Sequence, residues 1–155
     1  MKNKRVVMAT GVFDILHPGH LYFLSQAKRL GDYLVVVVTR DSVAAKEKHP
    51  PIMPEEARRK MVEALKPVDK AVLGYEDDMF RIVEEVRPDV IVLGYDQRWD
   101  VGKLKEEVRK RGLETEVVRL GRDTSDLAGT RRIIEKVVDR YLKNSLYTQE
   151  KVGEG

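Results

Sequence analysis

The hydrophobic positions of this chain fall into two kinds of stretch. Short, continuous apolar runs are typical of strands buried on both faces, and longer stretches carry apolar residues at helical spacing. The apolar runs are residues 6–9, 34–38, 68–73, 90–93 and 116–120. Five strands that alternate with helices predict a doubly wound α/β domain with a parallel sheet.

Proline, glycine and acidic residues mark the predicted helix ends. The first helix covers roughly residues 18–30, with Gly31 as its C-cap. A polar loop at residues 40–54, interrupted by three prolines, precedes a helix that opens at Pro54 and ends at Pro67. The predicted apolar face of that helix is Ala57, Met61, Ala64 and Leu65.

The length of 155 residues suits a single domain with a buried core. We expect one Rossmann-like domain over residues 1–143, with strand order 3-2-1-4-5 and helices on both faces. Residues 144–155 lack periodicity, so we expect a frayed or disordered C-terminal tail.

Composition excludes several classes of protein. The absence of cysteine excludes disulfides, thiolate metal sites and cysteine nucleophiles. Acidic and basic residues are interspersed and the net charge is only +3, so we expect no nucleic-acid partner. Because no apolar run approaches the ~20 residues of a membrane span and no signal-peptide core is visible, we expect no membrane partner and a cytoplasmic protein.

The candidate chemistry lies after the strands. Ligands of doubly wound sheets bind beyond the carboxyl ends of the strands, at the point where strand order reverses. The loops expected there are residues 11–20, 40–54, 94–99 and 121–130.

Two histidines, His17 and His20, lie at the start of the first helix. Free backbone N–H groups and the helix dipole attract anions there, and imidazoles can donate hydrogen bonds to phosphate oxygens. Gly19 permits close approach of a ligand, and Pro18 suits a first helical turn. A zinc site is the competing interpretation, but no other residues have the expected ligand spacing. The pattern favours a polyphosphate site.

The stretch Gly-Val-Phe-Asp-Ile-Leu-His-Pro-Gly-His at residues 11–20 resembles the motif of the H-x-G-H nucleotidyltransferase superfamily. In its G-[TV]-F-D-x-x-H-x-G-H form it resembles the cytidylyltransferase-like branch. Residues 51–59, 63–71 and 92–97 are most similar to the archaeal FAD synthase family. The resemblance spans about residues 6–141.

The resemblance implies a set of site residues. It implies catalytic roles for His17, His20, Arg122 and Lys46. It implies nucleotide-binding roles for Gly11, Val12, Phe13, Asp14, His17, Pro18, Gly19, His20, Lys48, Arg58, Gly94, Asp96, Arg122 and Thr130. Asp14 would also orient the turn. No protein metal ligands are expected, because Mg²⁺ or another divalent cation would be held mainly by the nucleotide phosphates.

Structural alternatives stay open at several of these positions. Arg58 could form a surface ion pair with Glu55 or Glu56, and Asp96 could only form a turn. Thr130 could serve only as an N-cap, and Lys46 and Lys48 could be solvent-facing charges. Residues 121–130 are about two residues longer than the family motif, with Gly129 in place of a serine. This departure weakens the CTP interpretation and leaves the base contacts of the loop open.

The resemblance implies transfer of AMP from ATP to FMN, giving FAD and pyrophosphate, by a homodimer. One alternative is a CTP-dependent cytidylyltransferase acting on glycerol phosphate or a similar small phosphate. Another is a non-catalytic nucleotide-binding sensor. An isoalloxazine ring needs an apolar slot, and Tyr22, Met53, Tyr95 and Trp99 are its hypothetical lining.

Overall fold

The first strand, β1 (Val6–Gly11), lies at the centre of the sheet. The structure is a computed structural model that describes residues 4–47, 49–121 and 129–153, with only the backbone described for 144–153. The elements are β1 (Val6–Gly11), α1 (Pro18–Lys28), β2 (Tyr33–Val38), α2 (Asp41–Glu47), α3 (Glu55–Glu63), β3 (Lys70–Leu73), α4 (Arg81–Val86), β4 (Val90–Leu93), α5 (Val101–Lys110), β5 (Glu116–Arg119) and α6 (Thr130–Gly153).

The five strands are parallel and lie in the order β3-β2-β1-β4-β5. This arrangement confirms the predicted doubly wound sheet. β1 pairs with β2 from Val6 opposite Tyr33 to Gly11 opposite Val38, and with β4 on its other side. The order reverses between β1 and β4, so the carboxyl ends of these two strands define the switch point.

Alternate side chains of β1 supply two hydrophobic cores. Val7 and Ala9 are buried on the face that packs against Leu24 of α1. Met8 points to the opposite face, in the cluster that contains Leu104 of α5. Because side chains alternate along a strand, a central strand needs apolar residues throughout and helices on both faces.

Gly31 is not the C-cap that the sequence pattern predicts. The α1 cap is Arg29, in the right-handed region, and Gly31 does not have the positive φ of a left-handed cap. A Cβ at Gly31 would lie 2.6 Å from the Arg5 carbonyl oxygen and 2.6 Å from the Val7 side chain. Glycine is needed here for close backbone approach.

Two predictions around α3 are also wrong. The predicted loop 40–54 contains a short helix, α2. Met61, placed on the apolar face, is 54% exposed, whereas Arg58 and Val62 are buried. The buried face of α3 contains a charged residue, Arg58, and a prediction based on hydrophobicity does not find such a face.

The last helix extends past the predicted end near residue 143. Its backbone is helical to Gly153, and no proline or glycine interrupts residues 144–152. The division into a domain at 1–143 and a tail at 144–155 stays a prediction. Most of the tail has a helical backbone. No helix within the described ranges combines the length and apolarity needed to cross a membrane.

Candidate active site

The turn after β1 has an unusual backbone. Phe13 has a φ of 52°, in the left-handed region, although its ring is only 4% exposed. The ring lies over Gly11, where a Cβ would come within 2.7 Å of it. Glycine at residue 11 therefore leaves room for the ring, and ring burial offsets the strain of the turn, which is of order 1–3 kcal/mol. We call residues 11–20 the histidine turn.

His17 and His20 stack on each other at the start of α1. Their ring centroids are 3.7 Å apart, with 25° between the planes. The edge of the Phe13 ring contacts His20, with the centroids 5.3 Å apart. His17 is the N-cap of α1, and its Nδ1 accepts a hydrogen bond from the Gly19 amide at 3.0 Å. The structure thus brings both imidazoles together at a helix N-terminus, beside the switch point.

The electrostatics favour hydrogen-bond donation over a doubly charged pair. Because Nδ1 of His17 is an acceptor, the proton of its neutral ring lies on Nε2. Burial, and then repulsion from His17 when that ring is protonated, lower the pKa of His20 to about 4, with Asp14 opposing the shift. Among the residues that the structure describes, Nδ1 of His20 is buried without a hydrogen-bond partner. His20 is therefore a neutral imidazole at neutral pH.

Asp14 joins the histidine turn to residues 50–54, which we call the proline segment. One carboxylate oxygen accepts from the Ile52 amide at 2.9 Å and the other from the Met53 amide at 2.8 Å. This geometry is consistent with the predicted orienting role. Both oxygens are engaged by the protein itself.

Arg58 does not form the surface ion pair that was one of the two sequence-based alternatives. Its side chain has no exposed surface, and it donates to three backbone carbonyls and to Asp41. It forms no surface ion pair with Glu55 or Glu56; Glu55 pairs with Arg40, and Glu56 pairs with Arg59. The guanidinium is enclosed by the protein. The nucleotide-binding role of Arg58 stays a prediction.

The loop after β4, residues 94–99, lies at the same sheet edge, and we call it the β4 loop. Its first four residues form a turn in which Asp96 is exposed. The Gln97 side chain accepts from the Gly94 amide at 2.7 Å and donates to the carbonyl of Thr10 in β1 at 3.0 Å. Arg119 donates to the carbonyls of Gly94, Gln97 and Trp99. Sequence reasoning missed the contacts of Gln97 and Arg119, although Gln97 lies in the loop after β4 and Arg119 is the last residue of β5.

The remaining predicted residues are divided between described and undescribed positions. The Thr130 hydroxyl donates to the Ile15 carbonyl at 3.5 Å, so α6 begins beside the histidine turn. Lys46 is exposed in the last turn of α2. Lys48 and Arg122 lie outside the described residues.

A cleft of about 430 Å³ separates the start of α1 from α6. Its lining consists of Leu16, His17, Pro18, Ile133, Lys136, Val137 and Arg140. Of the hypothetical acceptor lining, Tyr22, Met53 and Tyr95 are more than a third exposed. Trp99 instead packs edge-on against Phe80 in the core on the α5 face. Within the described ranges, no three His, Asp or Glu side chains cluster as metal ligands.

Comparison with known proteins identifies relatives over most of the chain. The cytidylyltransferase-like family model matches residues 8–148. The FAD synthase of Aciduliprofundum boonei is 61% identical over 146 residues, which are 94% of this chain and 97% of that protein. The FAD synthase of Archaeoglobus fulgidus is 54% identical, over 86% of this chain and 98% of that protein.

Solved structures agree on the fold. A lipopolysaccharide core biosynthesis protein from Thermoplasma volcanium superposes with a TM-score of 0.77 and 48% identity, covering 78% of this chain and 99% of that chain. Pantoate-beta-alanine ligase from Francisella tularensis has a TM-score of 0.59 at 13% identity, over 81% of this chain and 62% of that chain, and shows similarity of fold alone.

Proposed function

The chain belongs to the cytidylyltransferase-like family and is a nucleotidyltransferase; from that premise we propose that it transfers AMP from ATP to FMN, giving FAD and pyrophosphate. The choice of substrates is supported by the FAD synthase names of relatives that are 54–61% identical over most of their length. The chemistry is supported by the stacked pair of His17 and His20 at the N-terminus of α1.

The reaction needs no protein nucleophile. A terminal phosphate oxygen of FMN attacks the α-phosphorus of ATP and forms the new P–O bond. The bond from the α-phosphorus to the bridging oxygen of the β-phosphate breaks, and that oxygen leaves with pyrophosphate. Catalysis then consists of positioning and of stabilising negative charge.

The histidine turn can supply both. Neutral His20 and the Nε2–H of His17 donate hydrogen bonds without a buried positive charge, and the N-terminus of α1 adds its positive dipole end. Lys46, Lys48 and Arg122 stay predicted contributors of positive charge.

Mg²⁺ fits this site as an ion coordinated mainly by the oxygens of the substrate phosphates. Asp14, a carboxylate on the histidine turn, has both oxygens engaged by amides of the proline segment, so it offers no ready metal ligand. Mg²⁺ often binds through phosphates and water with few protein ligands, and when bound it would neutralise phosphate charge.

The test is a substrate panel with pyrophosphate release as the readout. Purified protein with Mg²⁺ should release pyrophosphate and form FAD from ATP and FMN. Turnover only with CTP and glycerol phosphate would replace the proposal with a cytidylyltransferase. Nucleotide binding without turnover for any acceptor would make the protein a sensor.

We also propose that the protein acts as a homodimer. The proposal is supported by apolar side chains of α6 that are more than half exposed: Val137, Val138, Tyr141 and Leu142. Light scattering should give twice the mass of one chain, and Tyr141→Glu should shift it toward one. A monomeric wild-type protein would reject the proposal. The expected cytoplasmic location and the absence of a nucleic-acid partner stay predictions.

A further inference from the structure

The carboxyl ends of the strands and the loops that follow them form one edge of the sheet, which we call the catalytic edge. The buried guanidinium of Arg58 connects three parts of this edge. Nε donates to the Met53 carbonyl at 2.9 Å, and Nη1 donates to the carbonyls of Val12 at 2.7 Å and Thr39 at 2.8 Å. Nη2 donates to Asp41 at 2.6 Å. One side chain thus fixes the histidine turn, the end of β2 and the proline segment.

The carbonyl of Val12 is a sensitive point of the histidine turn. It belongs to the peptide unit that leads into Phe13, whose left-handed backbone places its ring against His20. A hydrogen bond from a charged donor is stronger than a neutral one, so Arg58 holds this peptide unit firmly. Displacing it would displace the support of His20.

The proline segment is held from two directions. Arg58 binds the carbonyl of Met53, and Asp14 accepts from the amides of Ile52 and Met53. The Ile52 and Met53 side chains are nevertheless 64% and 37% exposed. The segment therefore presents apolar side chains from a firmly anchored backbone at the catalytic edge.

The partner Asp41 is itself held in place. Its backbone amide donates to Glu55 at 3.0 Å, and the Glu55 amide donates back to Asp41 at 3.2 Å. Arg40 pairs with the second oxygen of Glu55 at 2.9 Å. The starts of α2 and α3 thereby cap each other, and the carboxylate that neutralises Arg58 has one defined position.

We propose that Arg58 is a positioning residue of the transfer reaction: it sets the histidine turn and the proline segment in one relative placement and contacts neither substrate. Arginine has five N–H donors, and Arg58 makes four hydrogen bonds to groups within the protein. The kinetic test of this role rests on the proposed function, whereas the test by amide hydrogen exchange does not.

The experiment compares Arg58→Lys and Arg58→Met with the matched changes at Arg59. Arg59 is the next residue of α3, but its ion pairs with Glu56 and Glu63 lie at the surface. We expect Arg58→Met to lower kcat by about 100-fold with the KM for nucleotide within about threefold of wild type, because transition-state contacts depend most on placement. Arg58→Lys should recover part of kcat, and both Arg59 variants should keep it.

Amide hydrogen exchange supplies a readout independent of turnover. The amides of Ile52 and Met53 should exchange at least tenfold faster in Arg58→Lys than in Arg59→Lys. Each variant is measured at a temperature equally far below its own unfolding midpoint. A rise in the KM for nucleotide at unchanged kcat, or unchanged exchange at both amides, would overturn the proposal and make Arg58 a ligand or a purely local support.

Two further outcomes are separated by design. If Arg58→Met does not fold, Asp41→Asn tests the same placement while Arg58 stays, and wild-type kcat and exchange in that variant would overturn the role. If the wild-type protein does not convert ATP and FMN, the proposed function fails. The kinetics are then measured with the pair that does react, or the exchange measurement alone decides.

Discussion

The two loops on either side of the histidine turn are fastened by different chemistry. The proline segment is fixed by Arg58, a fully buried cation with a carboxylate and three carbonyl partners. The β4 loop is fixed by the neutral amide of Gln97 and by Arg119, which is exposed to solvent. Water can replace a partner lost at an exposed site, but it cannot do so at a buried one. We therefore expect substitution of Arg58 to lower the free energy of unfolding more than substitution of Gln97 or Arg119, although both sets of bonds reach the same edge of the sheet.

The comparison assumes that both loops serve the two histidines, and removing either histidine tests this most strongly. His17→Ala and His20→Ala should each lower kcat about 10³-fold, because each removes a donor to the transition state. The protein should stay folded by circular dichroism. His49→Ala is the matched control, since His49 is exposed in the neighbouring loop. Wild-type kcat in either active-site variant would separate the loops from catalysis.

Replacing each arginine with methionine tests the difference in fastening directly. Arg58→Met should lower the free energy of unfolding by about 3–5 kcal/mol, because it removes four hydrogen bonds of a side chain with no exposed surface and leaves three carbonyls and Asp41 without that donor. Arg119→Met should lower it by about 1 kcal/mol or less, because water reaches the carbonyls it leaves. Urea titrations at pH 7 measure both. Equal losses would show that burial does not distinguish the two sites.

Acidification tests the histidine turn that lies between the loops. The pKa of His20 is about 4 in the folded protein, below its ordinary value of 6.5. Between these pH values the unfolded chain binds the extra proton, so the free energy of unfolding falls as pH drops from 6.5 to 4, by up to about 3 kcal/mol. His20→Asn should lack this part of the pH dependence. Parallel wild-type and variant curves from urea titrations at pH 4, 5, 6 and 7 would contradict the assignment.

On the neutral side of the comparison we expect a smaller effect than that of Arg58→Met. Gln97→Met keeps the size of the side chain but removes its bonds to Gly94 and Thr10. We expect a loss of about 1–2 kcal/mol in the free energy of unfolding and a fall of about tenfold in kcat/KM. Arg98→Met, in the same loop but exposed, is the control and should match wild type. A larger loss than in Arg58→Met would reverse the ranking of the two fastenings.

Residues close together in the chain were predicted well, and residues with distant partners were not. The strands followed from continuous apolar runs, and the pairing of His17 with His20 followed from their spacing within one helical turn. The inward face of α3 was missed because Arg58 interrupts its apolar pattern. The role of Gly31 was missed because glycine is required there by the backbone of Arg5, the residue before β1, which lies far away in the sequence.

The sequence by itself determined the α/β class and the parallel sheet, and it predicts a polyphosphate site at residues 11–20, because each depends on local periodicity or on neighbours within one turn. Tertiary structure alone decided which side chains hold the catalytic edge together. Arg58 bonds to a carbonyl 46 residues away, and Gln97 bonds to one 87 residues away. No local pattern encodes such partners, since they meet only when separate strands end at the same edge of the sheet.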